Sequence, residues 1–250
     1  MSIMIFDTET TSLEKPFCYN IGYVIVDADS FCTLVERNFV CEQVWHNPML
    51  FSTAYYANKR EFYVKGMRQH KIKMDKYGYI CQQMIRDIKS FEVTSAYAYN
   101  SPFDEKVFNF NCDWFKCNNP FDNIPIYDIR GYAHHFICND DFKMWCEEYE
   151  AFSESGNYST TAENIYRYIT DENDFIEEHT ALADSQIEMI ILFSALLRGA
   201  EIATDYKPFR TIERPQKKTF TVKLNNETVY CEKVDSIRFM KKNNTILLKG

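Results

Sequence analysis

Asp7 and Glu9 stand one residue apart at the end of an apolar run, Ile3-Met4-Ile5-Phe6, inside a stretch (7–13) that reads Asp-Thr-Glu-Thr-Thr-Ser-Leu. On a strand, residues i and i+2 project to the same side, so both carboxylates would leave the strand end into one small volume. Like charges held that close call for a cation, and an all-oxygen site suits hard ions such as Mg²⁺ or Mn²⁺. Two further acids occupy informative places. Asp104 follows Tyr99-Asn100-Ser101-Pro102-Phe103, where a strand gives way to a helix whose dipole tolerates a negative charge. Asp184 comes five residues after His179, with apolar Ala181, Leu182 and Ala183 between them. Of the five histidines only His179 neighbours an acid of this set; His46, His70, His134 and His135 have no such setting. Imidazole titrates near neutrality, where a general base for a water molecule must.

The elements that would position these groups follow from hydrophobic period and turn chemistry. After the first strand, 18–26 alternates, with Ile21, Tyr23 and Ile25 on one face and Val24 and Val26 on the other. Residues 27–30 supply a turn and 33–40 a third strand, which together predict an antiparallel meander. Helical spacing covers 80–91, a strand covers 93–99, and a second helix covers 103–115. Residues 124–128 read as a short strand bearing a proline, and 130–136 as a helix. The acidic stretch as far as Ser155 has no readable pattern. Thr160 or Thr161 caps a helix reaching 169, and 177–197 is the longest predicted helix, with His179 and Asp184 at its start. Residues 207–215 form a proline-bearing linker, followed by β-like runs at 219–224, 229–234 and 245–248 separated by Asn225-Asn226 and Asn243-Asn244 turns.

In this order and context the three acidic sites resemble the three motifs of the DnaQ-like, or DEDDh, 3′-to-5′ exonuclease superfamily. The first motif is matched by residues 7–13, with Ser12 in place of the family's glycine, a turn that would strain serine if φ were positive. The second is matched by Asn100, Phe103 and Asp104, and the third by His179 and Asp184. The resemblance spans about residues 1–200. It implies an α/β, RNase H-like mixed sheet of five strands, an antiparallel meander and then parallel strands, flanked by helices. Residues 1–205 would be the exonuclease domain, and 206–250 a basic linker with a small C-terminal β appendage. It further implies Asp7, Glu9, Asp104 and Asp184 as ligands of two divalent cations, Mg²⁺ or Mn²⁺, and His179 as general base. Thr10 and Leu13 would hold the terminal nucleotide, Leu13 as a wedge against its base, and Asn100 and Phe103 would shape the opposite wall. Asp128 stands where the family often carries a further acid, and it is read here as structural.

Elementary chemistry agrees with these residue types. Hydrolysis of a phosphodiester needs an activated water, a clamp on the non-bridging oxygens and stabilisation of the leaving oxygen. Two divalent ions ~3.5–4 Å apart meet all three needs, and four carboxylates balance their charge. The expected activity is 3′-to-5′ digestion of single-stranded ends to nucleoside 5′-monophosphates, with DNA favoured over RNA because the first motif resembles proofreading subunits. An RNA-directed exonuclease, or a non-catalytic nucleic-acid-binding or partner-docking protein on the same fold, stays open.

Composition sets the boundaries. The 250 residues carry a net charge of −8, but residues 1–205 hold −15 and the remainder +7, so contact with a polyanion is local rather than general. Within 41–78 lie Lys59, Arg60, Lys65, Arg68, Lys71, Lys73 and Lys76, seven of the seventeen bases in 1–205, interleaved with Tyr55, Tyr56, Phe62 and Tyr63. That mixture suits a single strand, whose phosphates want cations and whose bases want flat faces; the plainer reading is a solvated helix face over core aromatics. The basic C-terminal segment would grip substrate or dock a replication or repair partner, or pack on the main sheet. Nine cysteines without a Cys-x-x-Cys signal neither zinc nor disulfides and fit a reducing, cytoplasmic setting. Seven scattered glycines exclude a glycine-rich phosphate cradle. No apolar run approaches the ~18 residues of a membrane span. Oligomeric state has no signature in the sequence.

Overall fold

Strand β1 (Ser2–Thr10) is the axis of the molecule, and it is apolar on both faces because both are covered. Met4 and Phe6 join one core with Tyr23 and Phe108, while Ile3 and Ile5 join a second with Val24 and Ile191. A strand buried on two sides reads as an unbroken apolar run rather than an alternating one. In this computed structural model, residues 1–54 and 57–201 are described in full, together with the backbone of four strands between 218 and 248. Tyr55, Tyr56, the linker at 207–215 and both Asn-Asn turns lie outside the described residues.

β1 pairs antiparallel with β2 (Cys18–Asp27), and β2 with β3 (Thr33–Cys41), as the meander requires. Two one-turn helices, α1 (Glu42–Trp45) and α2 (Pro48–Phe51), a 3₁₀ turn (Ala57–Lys59) and α3 (Arg60–Arg68) then lead to β4 (Lys73–Asp75). α4 (Tyr77–Ser90) precedes β5 (Val93–Ala98), and α5 (Ser101–Phe115) precedes β6 (Ile126–Asp128). The second half is helical: α6 (Ile129–Phe136), α7 (Asp140–Glu148), α8 (Ala162–Thr170) and α9 (Ala181–Leu197).

The sheet has six strands in the order β4-β3-β2-β1-β5-β6, with β3–β4, β1–β5 and β5–β6 parallel. This is the mixed α/β architecture expected, extended by β4 at the edge. A strand of three residues is too short to show a period, which is why the sequence did not announce it. Beyond 217, β7 (Lys218–Leu224), β8 (Glu227–Val234), β9 (Ile237–Met240) and β10 (Leu247–Leu248) form an antiparallel sheet in the order β10-β9-β8-β7. No helix among the described residues is long and apolar enough to cross a membrane.

One close approach fixes where α9 lies. Gly22 pairs with Asp7 across the β1–β2 ladder, and a β-carbon on it would fall inside the backbone of Ala181 and Leu182. Ser185 Oγ lies 3.1 Å from the Gly22 carbonyl, to which it donates. The helix therefore rests on strand backbone, directly beside the position that carries Asp7. Gly22→Ala is expected to cost at least about 3 kcal/mol, the upper end for overpacking, because the colliding atoms are backbone and cannot rotate aside. Urea unfolding measures it; a loss under 1 kcal/mol would mean that α9 is not seated so closely.

Candidate active site

Asp7 and Glu9 end β1, and Asp184 comes to them from the first turn of α9. Oxygens of the three carboxylates lie within 4.8 Å of one another. Asp104, in the first turn of α5, stands outside that trio; its Oδ1 accepts a 2.6 Å hydrogen bond from Thr8 Oγ1, which comes off β1 between the two acids. Glu9, Asp104 and Asp184 are 9, 3 and 7 % exposed. Nothing in the sequence reading singled out Glu188, yet it is 3 % exposed, one turn along α9 from Asp184, and accepts from the Tyr99 amide at 3.2 Å. The signal was there: residues four apart share a helix face.

Crowding and burial hold protons on these groups. Burial pushes Asp7 up to about 7; burial and then the Asp7 charge push Glu9 up to about 9 and Asp184 up to about 10. Asp104 and Glu188 are raised for the same two reasons. The donor set fits hard divalent cations, all of it carboxylate oxygen, and Asp184 Oδ1 is buried with no hydrogen-bond partner. A buried acceptor that no group of the protein satisfies fits a role as a cation ligand.

Because the folded-state values lie above the unfolded ones, the metal-free fold keeps protons that the unfolded chain releases. That contribution is fully present below pH ~4 and is lost as pH rises through about 7 to 10. Metal-free protein should therefore melt several degrees higher at pH 5 than at pH 9, and Mn²⁺ should stabilise it most at the alkaline end. Scanning calorimetry with and without chelator checks this; a melting temperature that rises with pH would refute the burial of these acids.

His179 is not on the long helix. α9 begins at Ala181, after Thr180 as N-cap, and His179 sits in the preceding segment with φ 49°, a left-handed conformation that interrupts any helix through 177–180. Thr180 makes no side-chain cap; instead fully buried Asn20 serves from across the sheet. Its Oδ1 accepts from Ala181 N at 2.9 Å and from Tyr63 OH of α3 at 3.1 Å, while its Nδ2 donates to Asn38 Oδ1 and Phe39 O. His179 Nδ1 is 3.4 Å from Glu177 Oε2, and Glu163 of α8 completes a second cluster with them. Burial and the nearby Lys59 charge lower the His179 pKa, which favours the neutral ring, the form that accepts a proton. Lys59, read from sequence only as one of the bases of 41–78, donates to the Glu178 carbonyl, and its charge bears on Glu9, Glu177 and Asp184.

The remaining expected positions surround this centre unevenly. Leu13 is 74 % exposed, its carbonyl accepting from Lys106 Nζ at 2.7 Å. Thr10 Oγ1 is within 3.4 Å of the Ser12 carbonyl. Ser12 does not have a positive φ, so the turn needs no glycine; its Oγ accepts from Lys15 N at 3.2 Å. Asn100 has φ 64° and ψ 46°, and its amide donates to Asp128 Oδ1 at 2.8 Å. Asp128 also caps α6, a structural role. Phe103 packs at the edge of the first core.

No family model matches the sequence, and no curated protein does. Solved structures do. A 3′-exonuclease seen recognising a histone mRNA stem-loop aligns with a TM-score of 0.57 at 13% identity, over 94% of this chain and 71% of that one. The nuclease domain of 3′hExo, a DEDDh family member bound to rAMP, aligns at 0.54 and 15% identity, over 82% and 97%. The chain has the fold of the DnaQ-like 3′-to-5′ exonucleases. Exonuclease I of E. coli, in complex with a 5cy-dT13 oligonucleotide, aligns at 0.52 and 15% identity over 79% of this chain. The chain spans about two fifths of that enzyme's length.

Proposed function

We propose that this chain is a metal-dependent 3′-to-5′ exonuclease on single-stranded nucleic acid, DNA in preference to RNA, releasing nucleoside 5′-monophosphates. One observation carries the reading: carboxylates of β1 and α9, far apart in sequence, converge within 4.8 Å around a buried oxygen of Asp184 that has no hydrogen-bond partner, while Asp104 of α5 is tied to the same strand through Thr8.

In this reading Asp7, Glu9, Asp104 and Asp184 hold two divalent cations, Mg²⁺ or Mn²⁺, and Glu188 supports them through its hold on the Tyr99 amide. Bound there, the ions would supply Lewis-acid stabilisation of the phosphoryl oxygens and a more acidic water. His179 takes the proton of the attacking water as its oxygen bonds to phosphorus and the bond from phosphorus to the upstream O3′ breaks, the departing O3′ taking up a proton from solvent to become a hydroxyl. Leu13 and the backbone at Thr10 hold the terminal nucleotide on one side, Asn100 and Phe103 on the other. Residues 1–205 form the catalytic unit, and 206–250 a basic linker and small β-rich segment that adds grip or docks a replication or repair partner.

The test is digestion of 5′-labelled single-stranded DNA, single-stranded RNA and duplex with Mg²⁺ and with Mn²⁺. A ladder shortening from the 3′ end of the single strands, abolished by chelator and by Asp104→Asn, is expected. Intact substrate under every condition, with nucleic acid still bound, would instead assign a binding protein on this fold.

A further inference from the structure

Residues 1–205 carry −15, yet the segment 59–76 carries +5, leaving −20 on the rest of that stretch. A polyanion can approach the carboxylate centre at low electrostatic cost only along such a positive path. The segment begins at the centre itself, since Lys59 donates to the carbonyl of Glu178, next to His179. From there α3, about 13 Å long, lies beside the start of α9, and Tyr63 and Ala181 share one anchor, the Asn20 carboxamide.

Between them runs a groove of about 660 Å³ lined by Phe62, Lys65 and Lys71 on one side and Glu178, Thr180 and Gln186 on the other. Phe62 and Lys65 also line a second hollow, of about 620 Å³, with Arg60 and Arg68. Lys71 continues into a third with Arg37 and Lys73. Six bases line this connected surface with three acids, Glu36, Glu61 and Glu178; two of the six are engaged in ion pairs, Arg37 with Asp87 and Lys73 with Asp75. Phe62 is 45 % exposed although its neighbour Tyr63 is fully buried, so one ring is left facing solvent amid cations. The Arg60 guanidinium is held 4.6 Å over Trp45. Cations spaced along a groove with an upturned ring are what a single strand uses, phosphates on the charges and a base on the ring.

We propose that the surface from Arg60 to Lys73 is the track for the single strand on the 5′ side of the bond that is cut. The proposal rests on the exonuclease reading above and adds to it the path of the substrate.

The test compares kcat/KM for single-stranded 20-mers of DNA and RNA with that for thymidine 5′-monophosphate p-nitrophenyl ester, which has no 5′ extension. In the triple variant Lys65→Ala, Arg68→Ala, Lys71→Ala the ratio of 20-mer to ester should fall at least about tenfold. The slope of log kcat/KM against log salt should become shallower by about 2, at ~0.7 per lost phosphate contact on a single strand. Phe62→Ala should lower the ratio about tenfold with the salt slope unchanged. A triple variant with the wild-type ratio and slope would overturn the track while leaving the exonuclease standing. Wild-type protein that cuts neither ester nor 20-mer would overturn both.

Discussion

Asp7→Asn is expected to lower turnover of a single-stranded oligonucleotide by at least about 10³-fold and, at pH 8 without metal, to raise the melting temperature. The first effect follows from position. Asp7 shares a 4.8 Å cluster with Glu9 and Asp184, and an amide of the same shape keeps the packing while removing the charge a dication needs. Metal stabilisation of developing charge amounts to several kcal/mol, and each ~1.4 kcal/mol is a factor of ten in rate. The second effect has the opposite sign because Asp7 is a burden to its neighbours. Its charge helps raise Glu9, Asp104, Glu177, Asp184 and Glu188, so deleting it relieves repulsion in the metal-free fold. Digestion assays beside calorimetry in chelator check both. A variant that is less stable and fully active would remove Asp7 from the centre.

His179→Ala is expected to lower kcat about 10²- to 10⁴-fold, the range of a general base, while Mn²⁺ affinity stays within a few-fold of wild type. The ring is outside the carboxylate trio and meets Glu163 and Glu177 instead, so its loss leaves the oxygens in place. The pH profile separates this role from a structural one. Burial and Lys59 depress the His179 pKa, so wild-type kcat/KM should climb with pH through a value below the ordinary ~6.5 and then level off. In the variant that limb should disappear. An unchanged limb, or loss of Mn²⁺ binding with the imidazole, would refute the assignment.

Much of this centre was legible because its signals are local. An apolar run ending in Asp-x-Glu, and Asn100-Ser-Pro-Phe-Asp104 at a strand-to-helix junction, state their own context. His179 was misplaced because the start of α9 is set remotely, by Asn20 lending its carboxamide across the sheet and by a left-handed residue no local pattern requires. The place of Lys59 and Glu177 beside the centre was not legible, since only the packing of the segment that carries Lys59 and of the approach to α9 brings them in. α7 lay unread in the acidic stretch, although Asn139, whose Oδ1 accepts from Phe142 N, followed by two aspartates is a helix-start signal. The apolar matches to α7, Phe142, Trp145 and Cys146, were masked by the acids on either side of them, Asp140, Asp141, Glu147 and Glu148.

Crystals soaked in Mn²⁺ and a nucleoside 5′-monophosphate give the most direct test, through anomalous scattering at the manganese edge. Two peaks, one among Asp7, Glu9 and Asp184 and the other between Asp7 and Asp104, are the result expected. Density without a peak at these carboxylates, in crystals that bind the nucleotide, would contradict the metal-dependent account.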